Sequence, residues 1–192
     1  MHTRQSPAKA GDCGYAKPLG TSKKKKMSRQ GLKIAVKIGL SRRKFLNEES
    51  AKKYFNSLRK EVFELVEKLK IEYPNHKLDY SPESLKLIEN IYFDYYDKNK
   101  FSEETISKDE FEILLAIYDG NVYVTNGKAN WIVEEDAFVR DNRFYLAIKS
   151  LNGFLTIDCT KWGNHERRPS NKRRQLIYRE YKKNEQFCVD KK

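Results

Sequence analysis

Apolar residues recur with a helical period in three stretches of the chain. From Asn47, residues Phe55, Leu58, Val62, Leu65, Val66 and Leu69 follow one another at steps of three and four, with Lys60, Glu61, Glu64, Glu67, Lys68 and Lys70 on the remaining faces, which predicts an amphipathic helix. Tyr73-Pro74 ends it, because the residue before a proline is pushed out of the helical region. A second helix is expected from Ser81-Pro82-Glu83, with Ser81 as N-cap, Pro82 at the first helical position and Glu83 in the dipole-favoured first turn. Leu85, Ile88, Ile91, Tyr92 and Tyr95 form its stripe. The third helix opens at Ser107-Lys108-Asp109-Glu110, a capping-box pattern, and carries Phe111, Leu114, Leu115 and Tyr118. Gly120 is either its stop or an interior glycine costing roughly 1 kcal/mol. Val122 to Thr125 favours a strand locally, whereas the continuing stripe and Asn126-Gly127 favour a helix, so residues 121–126 remain open at this level.

After Gly127 the period changes to two. Asn130 to Glu134, Arg143 to Ile148 and Gly153 to Asp158 read as three strands of an antiparallel meander, with Asn152-Gly153 as the hairpin signal. Leu32, Ile34, Val36, Ile38 and Leu40 also alternate, with Gly31 and Gly39 beside them, and predict an extended basic arm packed on the body. Beyond Pro169, Leu176, Ile177 and Tyr181 among basic residues suggest a last helix to about Phe187. The expected class is α+β: three N-terminal helices, a small antiparallel β-meander and a basic C-terminal helix.

Charge divides the 192 residues into unlike parts. The formal net charge is +12, but residues 1–44 contribute +12, residues 45–160 contribute −7 and residues 161–192 contribute +7. The organisation read from this is a basic tail (1–30) too polar to order itself, a basic extended arm (31–44), an acidic α+β body (45–160) and a basic C-terminal segment (161–192) docked on that body. Met27 after the lysine run is an alternative start, and would leave a net charge of +6. The longest apolar run, Ile113 to Tyr118, is far below the roughly 20 residues of a bilayer span. Three scattered cysteines, 13, 159 and 188, form neither a disulfide framework nor a zinc pattern and suit a reducing cytoplasm.

The run Leu78-Asp79-Tyr80-Ser81-Pro82-Glu83-Ser84-Leu85, then Tyr118-x-Gly120, then Trp131 ahead of the meander, resembles a group of small uncharacterised bacterial proteins. The resemblance covers about residues 78–160 and marks Tyr80, Ser81, Gly120 and Trp131 as motif positions. Asn121 stands where the pattern expects a glutamate. The resemblance implies that the third helix runs through Gly120 and implies no activity. Proteins of this shape include immunity and accessory proteins that bind a partner, an analogy of fold.

Catalytic patterns are sparse: the chain has no glycine-rich phosphate loop, no G-x-S-x-G, no H-E-x-x-H and no C-x-x-C. Cys159 with His165 could pair thiol and imidazole, and Glu134-Glu135-Asp136 with Asp141 could gather round a hard cation. The plainer readings, a buried strand end and a solvated turn, are preferred, so neither catalytic residues nor a metal or cofactor are expected. Asp94, Asp97, Glu103, Glu104, Asp109 and Glu110 could form an acidic patch for a basic partner. Two functions follow. The first is a non-catalytic cytoplasmic protein-interaction module of accessory or immunity type, its partner unidentified. The alternative is a nucleic-acid-associated protein, with Lys23, Lys24, Lys25, Lys26, Arg42, Arg43, Lys44, Arg167, Arg168, Arg173 and Arg174 on phosphates and Tyr178 stacking on a base.

Overall fold

Asn47 and Ser50 open the longest helix by satisfying each other's amides: Asn47 Oδ1 accepts from the Ser50 amide at 2.9 Å and Ser50 Oγ accepts from the Asn47 amide at 3.2 Å. In the computed structural model, which describes residues 29–38, 43–127, 129–136, 141–150, 153–156, 168–173 and 175–185, this is α2, Glu48–Glu72. It follows α1, Gln30–Ile38. α3, Ser84–Asp97, and α4, Lys108–Asn126, complete four helices ahead of the sheet among the described residues. Strands β1 (Ala129–Glu135), β2 (Phe144–Ser150) and β3 (Gly153–Thr156) form an antiparallel meander in that order. A 3-10 turn, Ser170–Lys172, precedes α5, Leu176–Asn184. The class is α+β.

α4 continues through Gly120 to Asn126, capped by Ser107 and Glu110 at its start and by the Gly127 amide on the Tyr123 carbonyl at its end. Val122 and Tyr123 are both buried on its inner side. Their shared helical face outweighs the local strand preference of residues 122–125. α3 starts later than Ser81-Pro82 suggests. Residues 81–83 form a tight turn in which the Ser84, Leu85 and Lys86 amides reach back three residues to the carbonyls of Ser81, Pro82 and Glu83. Ser81 Oγ accepts from the Ser84 amide, so Ser81 organises that turn and leaves the helix cap to Glu83.

The extended arm over 31–44 is corrected: residues 30–38 are helix, residues 39–42 lie outside the described residues, and Lys44 forms an isolated bridge with Arg143. The alternation of branched residues conceals a second pattern, Leu32, Ala35 and Val36 at helical spacing. Leu32 and Ala35 are buried and Val36 packs against the core, which a strand could not achieve because neighbouring residues face opposite ways.

α2, α3 and α4 enclose an aromatic centre in which Tyr92, Tyr95, Phe101 and Phe111 meet at ring-centroid separations of 5.5–6.0 Å. The sheet lays one face on α2 and α4. Its register pairs Trp131 with Ile148 and Val133 with Leu146, placing these side chains toward the helices. α5 docks on α3 and α4 through Ile177 and Tyr181, and the Tyr181 ring lies 4.7 Å from that of Tyr123.

The Leu-Asp-Tyr-Ser motif is the joint between α3 and α4. Asp79 Oδ1 accepts from the Ser81 amide at 3.0 Å, which lets Tyr80 adopt φ 60°. The Tyr80 ring then rests 4.7 Å from that of Tyr118, whose hydroxyl donates to Ser84 Oγ at 2.8 Å and accepts from the Tyr80 amide at 3.3 Å. Asn126 Nδ2 donates to the Tyr80 carbonyl. Tyr118→Phe removes the hydroxyl at the centre of this joint. It is expected to lower the unfolding free energy by about 1–3 kcal/mol, measured by urea denaturation. An unchanged midpoint would show that the joint is not held by this hydroxyl.

Candidate functional site

Of the motif residues, Gly120 and Trp131 lie where α2, α4 and β1 meet, next to the joint that holds Tyr80 and Ser81. Trp131 Nε1 donates to Asn121 Oδ1 at 3.0 Å, and the Arg59 guanidinium lies 4.9 Å from the Trp131 ring centroid. Asn121, at the position where a glutamate was expected, therefore serves as the acceptor that fixes the indole. Gly120 is buried within α4 behind it. Burial lowers the pKa of Arg59 and pushes that of the Tyr80 hydroxyl up to about 12. The Tyr80 hydroxyl thus keeps its proton at neutral pH, and the indole and guanidinium contacts tie α2, α4 and β1 together.

A second arrangement occurs twice. Glu61 of α2 is buried, and its two carboxylate oxygens accept from the Gly31 and Leu32 amides at 3.1 and 3.0 Å. These are unpaired donors in the first turn of α1, whose preceding residue, Arg29, has no side-chain acceptor to offer them. Glu89 of α3 is only 1% exposed and accepts likewise from the Leu176 and Ile177 amides at 2.9 and 3.3 Å. Gln175, at the cap of α5, makes no side-chain capping bond. Each short basic helix is thus capped from the acidic body by carboxyl oxygens that accept from its first free amides.

An arginine sits beside each cap. Arg29 donates to Glu110 Oε2 at 2.7 Å and to the Thr105 and Glu103 carbonyls at 2.6 and 2.8 Å. Arg173 donates to both oxygens of Asp97 at 2.6 and 2.7 Å, with its guanidinium 4.6 Å from the Phe93 ring centroid and 5.3 Å from that of Tyr96. Much of the acidic patch expected from the sequence is therefore engaged within the molecule. Asp94 is held well below the usual carboxylate range, chiefly by Lys100, with Lys98 and the Tyr73 hydroxyl adding to it.

Several sequence candidates for nucleic-acid contact are similarly occupied. The Arg43 guanidinium lies 4.3 Å from the Tyr54 ring centroid, Lys44 pairs with Asp141 at 2.6 Å, and Lys86 lies 3.9 Å from the Tyr178 ring centroid. Arg168 is exposed, and with Asn171, Lys172 and Arg179 it lines a cleft of about 510 Å³. Lys23, Lys24, Lys25, Lys26, Arg42, Arg167 and Arg174 lie outside the described residues, as do Cys159 and His165. Of the carboxylates considered for a cation, Asp141 pairs with Lys44 and Arg143, and Glu135 accepts from the Asn142 amide. Among the described residues no group of three or more His, Cys, Asp or Glu is placed to hold a metal ion, and no helix is long and apolar enough to cross a membrane.

Glu61 and Glu89 are the residues that sequence reasoning missed. Glu61 stands between Leu58, Val62 and Leu65, and Glu89 between Leu85, Ile88 and Tyr92. Each takes a stripe position where an apolar residue belongs, and each serves a helix start without a capping side chain. Those two signs together identify a carboxylate cap supplied from afar.

Burial pushes the Glu89 carboxyl up to about 7, against the lowering effect of the Leu176 and Ile177 amides and of Arg179. A carboxyl raised above its unfolded value holds its proton more tightly in the fold. Its contribution to stability is therefore full below about pH 4.5 and is lost as pH rises through about 7. Wild type should lose more unfolding free energy between pH 5 and pH 8 than Glu89→Gln, by on the order of 2 kcal/mol, in denaturant titrations. Parallel profiles would contradict this assignment.

Comparison with curated proteins and with solved structures finds no match. A family model described as Uncharacterised protein YwmA matches residues 44–185, from the residue that bridges to Arg143 through the end of α5. The match takes in both capping carboxylates, the motif cluster and the sheet, and leaves out α1; the chain belongs to the YwmA family.

Proposed function

We propose that this protein is a non-catalytic protein-interaction module whose acidic body holds basic helical segments. The observation that carries the reading is the repeated dock. Glu61 and Glu89, on different helices, each present a buried carboxylate to two successive amides at the start of a basic helix, and an Arg–acid pair lies beside each. Recognition of this kind is addressed to backbone amides and one arginine, so it suits a family of related helices rather than a single sequence. The test is photo-crosslinking from exposed positions of the full chain in its native cell, followed by mapping of the crosslinked peptides. A partner crosslinked through a basic helix to the acidic body supports the reading; a nucleic acid as the sole crosslinked species overturns it.

One observation favours the nucleic-acid alternative: Arg168, Lys172 and Arg179 are exposed around one cleft and make no ion pair among the described residues. That reading predicts retention of the full chain on immobilised DNA or RNA at low salt, falling steeply as salt rises. It also predicts loss of retention when these three cations are replaced by alanine. The interaction-module reading predicts that the full chain flows through at low salt.

A further inference from the structure

We propose that the groove between α2 and α4 is a docking site for a basic amphipathic helix of a partner protein, and that α1 is its built-in, displaceable occupant. The inference rests on the interaction-module reading and names the surface and the partner chemistry. The walls of the groove lie inside the family match at residues 44–185, and α1, at Gln30–Ile38, lies outside it. Glu61, Tyr54 and Glu110 thus lie within the matched span, while the segment that satisfies them lies ahead of it.

The contacts define the occupant. Glu61 takes the Gly31 and Leu32 amides, the Tyr54 hydroxyl donates to the Gly31 carbonyl at 3.2 Å, and Glu110 takes Arg29. Apart from Arg29, these polar contacts are to backbone. Side-chain demands are few. A Cβ at position 31 would stand 3.0 Å from Glu61 Oε1, so the groove requires glycine or a slight retreat of the carboxylate. Leu32 and Ala35 are buried, while Lys33 is exposed. The fitting partner helix therefore has an arginine before its first turn, glycine two positions later, a large apolar residue next and a small one three further on, with lysines outward. Its positive charge complements a body of net −7.

Displacement is feasible because α1 spans nine described residues and has no capping side chain of its own at its start. Isolated helices shorter than about 12–15 residues are marginal in water, so α1 off the groove loses its helix without taking α2, α3 or α4 with it. An incoming helix would restore the partners of Glu61.

The probe is an acetylated, fluorescein-labelled peptide of residues 28–38, titrated into the full chain and into a full-chain Gly31→Val/Leu32→Ala variant that loosens α1 and leaves the walls intact. The variant should bind at least tenfold more tightly than wild type, and adding Glu61→Gln should remove about tenfold of that affinity. Equal binding to both chains, no binding to the variant, or binding indifferent to Glu61→Gln would overturn the proposal. So would loss of the variant's cooperative unfolding transition, since α1 would then be an integral part of the core. Peptide-reversible dimerisation of wild type would overturn it in favour of exchange of α1 between copies. A native partner crosslinked elsewhere on the body, with no peptide binding here, would remove this inference and leave the interaction-module reading standing.

Discussion

A buried carboxylate is costly unless its oxygens are hydrogen-bonded, and this fold meets that requirement twice with the same kind of donor. Glu61 and Glu89 are each matched to the first amides of a short helix that has no capping side chain of its own. The dependence runs in both directions. The carboxylate tolerates burial because the amides solvate it, and the helix can begin where it does because the carboxylate is there. The positions of α1 and α5 on the body follow from these two points of attachment, with Leu32 and Ala35, and Ile177 and Tyr181, filling the apolar space beside them.

The same logic gives a physical meaning to the charge map. A net charge of +12 at first suggests a nucleic-acid partner, but the excess belongs to the two ends while the body is acidic. Arg29 and Arg173 each lie against an acid of the body, and Lys44 closes on Asp141. Charge asymmetry is thus used in part to hold the molecule to itself. The N-terminal dock joins α1, which lies outside the family match, to Glu61 and Glu110, which lie inside it.

What could be read from the sequence was whatever is local. The helix start at Asn47, the capping box at Ser107, the stripe of α2, the stop at Tyr73-Pro74 and the change to period two after Gly127 all lie within a few residues of the features they specify. α1 does not show in the sequence because its branched residues alternate, and its helical state depends on Glu61, some 30 residues away. The start of α3 shifted because Ser81 serves a turn built with Asp79 and Tyr80. The docks were harder still to see: the partner of Glu89 lies 87 residues further along the chain. A charged residue on an apolar stripe is visible in a sequence, but what it faces is decided by packing.

The most direct measurement of the central claim is residue-resolved amide hydrogen exchange of the full chain, compared with Glu61→Ala and Glu89→Ala. The account predicts that Glu61→Ala strips protection from the Gly31 and Leu32 amides and from the rest of α1. Glu89→Ala should do the same at Leu176 and Ile177, and in both variants the core of α2 and α4 should keep its slow exchange. Unchanged protection at those four amides, or a uniform loss across the whole fold in either variant, would contradict the claim that each helix is held by its own carboxylate.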